Sequence, residues 1–150
     1  MKTVLSLLVV VVLIASAPLR AQDKKSDAKF DAAKLVGKWE YVSGVKNGEK
    51  VAQENLKDQV ITITKDKITL KGKDTFVFKY DLDTEKKPVG IKLEILESPF
   101  GPGAKSAGVI ELKGDEIRLC YAAMDDAATP KTFEAKEGSK AHLFVLKRTK

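Results

Sequence analysis

Beyond Gly37, apolar residues recur at every second position in short runs separated by polar turns. Trp39 and Tyr41 alternate with Lys38 and Glu40, and the segment 60–64 (VITIT) is rich in β-branched residues. Ile68 and Leu70 alternate with Lys67, Thr69 and Lys71. Phe76, Phe78, Tyr80 and Leu82 share one face of a longer run. Ile91, Leu93 and Ile95 form the next, then Ile110 with Leu112, then Ile117, Leu119 and Tyr121. The segment 141–148 (AHLFVLKR) is the last. Alternation over four to eight residues marks a strand buried on one face. The pattern predicts eight such strands.

The connections decide how the strands pair. Lys65-Asp66, Lys71-Gly72-Lys73-Asp74 and Lys113-Gly114-Asp115 suit tight hairpins, and Glu85-Lys86-Lys87-Pro88 a slightly longer turn. No segment offers the helix that a parallel crossover needs, so an antiparallel meander follows. Eight strands of this kind close into an all-β, eight-stranded antiparallel up-and-down barrel, which removes both edges. A two-sheet sandwich is the competing closure. In the barrel, the long segments 43–59, 97–106 and 123–140 gather at one end, where a barrel commonly carries its binding function. Trp39 and Arg148 meet at the other end, where a guanidinium over the indole forms a structural plug.

The chain before the first strand is different. Met1-Lys2 gives a positive start, Val4 to Ala17 is an uncharged apolar run of about 14 residues, and small residues follow. This is the layout of a signal peptide over residues 1–21, with cleavage after Ala21. The run is short for a membrane span, which needs about 20 residues; an uncleaved anchor is the competing reading. Residues 22–29 (QDKKSDAK) read as a flexible tether. Residues 30–36 (FDAAKLV) suit a short N-terminal helical turn, so the domain is 30–150. An exported protein, periplasmic or secreted and without a stable membrane anchor after cleavage, is expected.

Composition narrows the chemistry. Losing Lys2 and Arg20 lowers the formal charge of +6 by two, and the remaining lysines are scattered, so no nucleic-acid partner is expected. One Cys excludes an internal disulfide and a cysteine metal cluster, and one His excludes a multi-histidine site. Asp81, Asp83 and Glu85 have alternating spacing, but Lys86 and Lys87 follow where a calcium loop needs Gly and a distant Glu. Asp125-Asp126 has no third ligand nearby. No serine sits in a Gly-x-Ser-x-Gly elbow, and Gly101-Pro102-Gly103 lacks the Lys-Ser/Thr of a phosphate loop, so it reads as a rigid loop tip. Neither catalysis, a metal nor a cofactor is expected. His142 reads as a packing or surface residue. Cys120 has the outward parity of its strand and reads as a partly buried hydrophobe.

Several of these segments resemble a known group. Residues 30–44 (FDAAKLVGKWEYVSG) look like the opening of a lipocalin, with Gly37-x-Trp39 entering the first strand, and Arg148 resembles the basic residue covering that Trp. Lys46-Asn47-Gly48-Glu49-Lys50, Lys86-Lys87-Pro88, residues 108–120 (GVIELKGDEIRLC), Pro130-x-x-Phe133 and Leu146-Lys147-Arg148 extend the resemblance. It is to a narrower, planctomycete-type family of exported lipocalin-like domains of unknown function. Thr129 stands where that family commonly has Arg. The resemblance implies a lipocalin-like barrel and export, and brings no activity.

Two functions follow as expectations. The first is binding a small apolar or amphipathic molecule at the open barrel end. The interior candidates are Phe76, Phe78, Tyr80, Ile91, Leu93, Ile95, Leu112, Leu119 and Tyr121. The second is a protein–protein interaction or inhibitor module of the cell envelope, with a filled core. Cavity volume and the character of the loop tips separate them.

Overall fold

The computed structural model describes residues 29–123 and 125–150. The expected signal segment, and the tether up to residue 28, lie outside these. A 3₁₀ turn, Ala32–Leu35, is capped by the Asp31 carboxylate, which accepts from the Ala33 amide at 3.1 Å. Nine strands follow: β1 (Gly37–Lys46), β2 (Glu49–Lys50), β3 (Val60–Ile63), β4 (Lys67–Lys71), β5 (Thr75–Asp83), β6 (Val89–Glu97), β7 (Lys105–Lys113), β8 (Glu116–Ala122) and β9 (Ala141–Arg148). Each pairs antiparallel with its neighbour in the order β1-β3-β4-β5-β6-β7-β8-β9, and β9 returns to β1. The result is a closed eight-stranded up-and-down barrel of lipocalin type, with β2 a short appendage of β1.

The tight hairpins fall where turn chemistry places them. β3 and β4 join through 64–66, β4 and β5 through 72–74, and β7 and β8 through Gly114-Asp115. Another hairpin turns at Asn47-Gly48, within the Lys46-to-Lys50 segment whose resemblance is to a turn, both residues with positive φ (50° and 88°), the conformation that Asn-Gly adopts most readily. β1 therefore runs to Lys46, and the first long connection shortens to 51–59. β7 likewise begins at Lys105, before the strictly alternating positions, because 105–110 pair with β6, and pairing with β8 joins from Gly108 onward.

Trp39, Leu35, Ile61, Ile91, Ile110 and Ile117 are fully buried at the centre of one apolar core. At the short-turn end, the Trp39 indole donates to the Leu35 carbonyl at 2.8 Å, and the Arg148 guanidinium lies 4.3 Å above the ring. Arg148 also donates to the carbonyls of Lys34 and Val36 and to the Asp115 carboxylate. Gly37 explains the residue two before the Trp. Its φ is +147°, and a Cβ there would stand 2.6 Å from Arg148 Nη1. The guanidinium crosses the chain where only glycine leaves room.

Candidate functional site

The long-loop end is the candidate site, and its geometry begins with an irregularity in β1. The register against β9 shifts between Tyr41 and Ser43, so one extra residue, Val42, bulges out. Inward parity therefore passes from Tyr41 to Gly44. A Cβ on Gly44 would lie 2.7 Å from the Phe144 ring, so the glycine vacates the space that Phe144 fills. Phe144 packs 5.0 Å from Tyr41 and 6.2 Å from Tyr121, and His142 stands edge-on to Tyr121 at 5.4 Å. From the loop above, Leu56 is 2% exposed and belongs to the same core, with Val51 packed against it. Side chains and loop together fill this end.

What remains inside is a cavity of about 30 Å³, bordered by Tyr41, Ile68, Phe78, Leu119, Tyr121 and Phe144 among others. That is room for one or two waters, not for an organic ligand. Burial pushes the Tyr41 phenol well above its usual range, with Tyr121 adding to the effect. Burial likewise raises Tyr121, with Cys120 contributing. The His142 imidazole is held below its usual value, first by burial and then by Lys46. All three groups favour their neutral forms.

The sequence-predicted interior residues separate into three sets. Tyr80, Ile91, Leu93 and Leu119 are buried in the core, and the Tyr80 hydroxyl donates to the Thr64 carbonyl at 2.7 Å. Phe78, Leu112 and Tyr121 are half-buried against it. Phe76 and Ile95 are half-buried beyond it, and the Phe76 and Phe78 rings stack at 6.3 Å. Of the nine, only Phe78, Leu93, Leu119 and Tyr121 border the cavity. Tyr41, Ile61, Ile68, Leu70, Phe144 and Leu146 also border it and were not among the candidates, although most share the same alternation.

The other long loops behave differently from a simple rim. The connection 123–140 folds down the outer wall, where Phe133 and Ala135 pack with Val109, Cys120, Ala141 and Leu143. Arg118 lies 4.7 Å over the Phe133 ring, and the Cys120 thiol donates to the Glu134 carbonyl at 3.5 Å. Cys120 is outward-facing, as its parity requires, yet 0% exposed, because the loop covers it. Burial raises its pKa despite that carbonyl contact and Arg118.

The β6–β7 connection projects instead. Phe100 at its tip is 91% exposed, the most exposed large apolar side chain among the described residues. The turn beneath it is braced. The Ser98 hydroxyl donates to the Gly101 carbonyl at 2.7 Å and accepts from the Phe100 amide at 3.2 Å. The Gly101 amide donates to the Ser98 carbonyl, and the Gly103 amide to that of Ile95 at 2.8 Å. Gly101 and Gly103 have φ of +93° and +105°. A ring on such a turn is presented in a fixed place at little cost in loop order.

Among the described residues, no group of three or more acidic, His or Cys side chains could hold a metal ion. No helix there is long and apolar enough to cross a membrane. Asp83 of the alternating acidic stretch pairs with Lys86 at 3.3 Å. No family model matches the chain, and no curated protein or solved structure is significantly similar to it.

Proposed function

We propose that this protein is a non-catalytic, exported interaction module, a lipocalin-like barrel that docks a protein partner through its long-loop end. The observation that carries this reading is the pairing of a filled interior with Phe100, almost fully exposed on a braced turn. Aromatic side chains on ordered turns act as anchors that enter apolar pockets of a partner. A lone ring gives a flat lipid surface too little apolar area to hold a protein, whereas a pocket surrounds it. Export and the link to planctomycete-type lipocalin-like domains rest on residues 1–21 and on the sequence resemblance.

The rival reading, an apolar ligand inside the barrel, requires more than the structure provides. Its space is about 30 Å³, against several hundred for a typical ligand pocket. A ligand would have to displace Leu56 or the aromatic cluster.

A photo-reactive phenylalanine analogue at position 100, used in the organism that makes the protein, tests the proposal. One reproducible cross-linked protein is expected. Phe100→Ser is expected to weaken binding to that protein by about 10- to 100-fold, the equivalent of losing most of a buried Phe side chain. Cross-links scattered over many proteins, or unchanged affinity in Phe100→Ser, would overturn the proposal.

A further inference from the structure

The β6–β7 hairpin carries a knob at its tip, Phe100, and a recess at its base. The recess is a cleft of about 400 Å³ on the outer wall, within the size range of ligand sites. Glu94 and Lys105 border it and are the last paired residues of the two strands that the hairpin joins. The start of the 123–140 connection forms the far side, pinned by the Asp125 carboxylate accepting from the Lys105 amide at 2.8 Å. Small side chains, Ala107, Ala122 and Ala127, recess the floor. Their methyl groups leave room for a ring and give it apolar contact.

The charges around this recess cancel. Lys79, Lys92 and Lys105 are matched by Asp81, Glu94 and Asp125. Across the strands, Glu94 stands between Lys79 and Lys105, and Asp81 stands opposite Lys92. The rim therefore gives a charged ligand of either sign no net attraction. The chain as a whole is basic, with 27 basic against 21 acidic side chains, so two copies repel over most of their surfaces. A balanced rim faces a copy of itself without that repulsion, each lysine finding carboxylates across the contact.

Knob and recess on one hairpin also permit a closed pair. At most about 20 Å of extended chain separates Phe100 from Glu94. A twofold axis beside the middle of the hairpin lays two hairpins antiparallel, so each ring reaches the other's recess. Both rings are then covered at once, and association stops at two copies.

We infer that a second copy of this chain occupies the docking surface whenever no other partner does, the Phe100 ring of each copy seated over Ala107 in the cleft of the other. The inference rests on the reading of Phe100 as a docking anchor and adds a competitor for it. The dimer hides the ring until a partner displaces the second copy.

Sedimentation velocity of the purified protein over a concentration series is the test, with each variant checked by its melting curve. Dimer is expected to build up with concentration. Phe100→Ser removes both rings and Ala107→Leu fills both recesses, so each is expected to weaken the dimer at least about tenfold. Mixing the two variants restores one contact, the intact Phe100 of one chain against the intact Ala107 of the other. The mixture is expected to associate at least about tenfold more tightly than either variant alone. A monomer at every concentration, a dimer indifferent to either substitution, or a mixture no tighter than its components would overturn the inference. Each of those results leaves the loop-tip proposal standing, because the cross-link from position 100 in the producing organism reads a different partner. Scattered cross-links there, beside an intact dimer of the purified protein, would bear on that proposal alone.

Discussion

Arg148 holds the closed end by contacts that no other side chain reproduces. Its planar fork reaches two backbone carbonyls and Asp115 while its face covers Trp39. Charge-assisted bonds to a guanidinium and a cation–π contact each contribute about 1–2 kcal/mol. Arg148→Met is therefore expected to lower the unfolding free energy by about 1–3 kcal/mol, read from the fluorescence of the single Trp during denaturation. Arg148→Lys is expected to recover little of it, and full recovery would show that charge alone suffices. The tyrosines carry a second prediction at this scale. Tyr41, Tyr80 and Tyr121, the whole complement, all have raised pKa values. Above about pH 10 the unfolded chain gives up phenolic protons that the folded chain keeps. Stability is intact below that pH and falls as pH rises through it, by about 1.4 kcal/mol per pH unit for each tyrosine still protonated in the fold. A spectrophotometric titration should show the Tyr41 and Tyr121 phenolates appearing only as the barrel unfolds. Either of the two ionising near pH 10 in the folded protein would contradict this.

At the scale of elements, the 123–140 connection is a flap over the outer wall, held by Phe133, Ala135 and the cation–π contact to Arg118. Its opening is the route to Cys120. The native thiol should react with a disulfide reagent orders of magnitude more slowly than an exposed cysteine. Phe133→Ala should accelerate it at least tenfold without unfolding the barrel; an unchanged rate would mean the flap is held by something else. Beneath it, β7 and β8 approach closely at Gly108, where a Cβ would fall 1.9 Å from the Cys120 carbonyl oxygen. Gly108→Ala should cost more than about 3 kcal/mol in a denaturant melt, because backbone must move. These elements also show what the sequence discloses. Alternation from Ile61 to Leu146, and the turn residues between, specify strand order and closure, because one-sided burial leaves a direct trace. The meeting of Trp39 with Arg148 follows from strand count alone. The bulge at Val42 leaves no such trace, yet it turns Gly44 inward and lets Phe144 fill the mouth. The flap is equally silent. Phe133 and Ala135 lack periodicity, and their burial depends on an outer face whose own parity reads as solvent. Phe100 stood in plain view between Pro99 and Gly101, but only the braced turn and its 91% exposure distinguish it from a core aromatic.

For the molecule as a whole, the three long connections have three fates. One helps fill the barrel end with Leu56, one sheathes the wall, and one projects Phe100. The barrel thus spends its interior on stability, and its outer surface near the β6–β7 hairpin is what remains for recognition. Native mass spectrometry of the protein, purified gently from cells that make it, tests this most directly. A chain without small-molecule cargo is expected. A second protein is expected in the same spectrum, and it should disappear in Phe100→Ser while the variant's melting curve is unchanged. A reproducible added small-molecule mass, released on denaturation, would contradict the filled barrel and return the interior to the centre of the function.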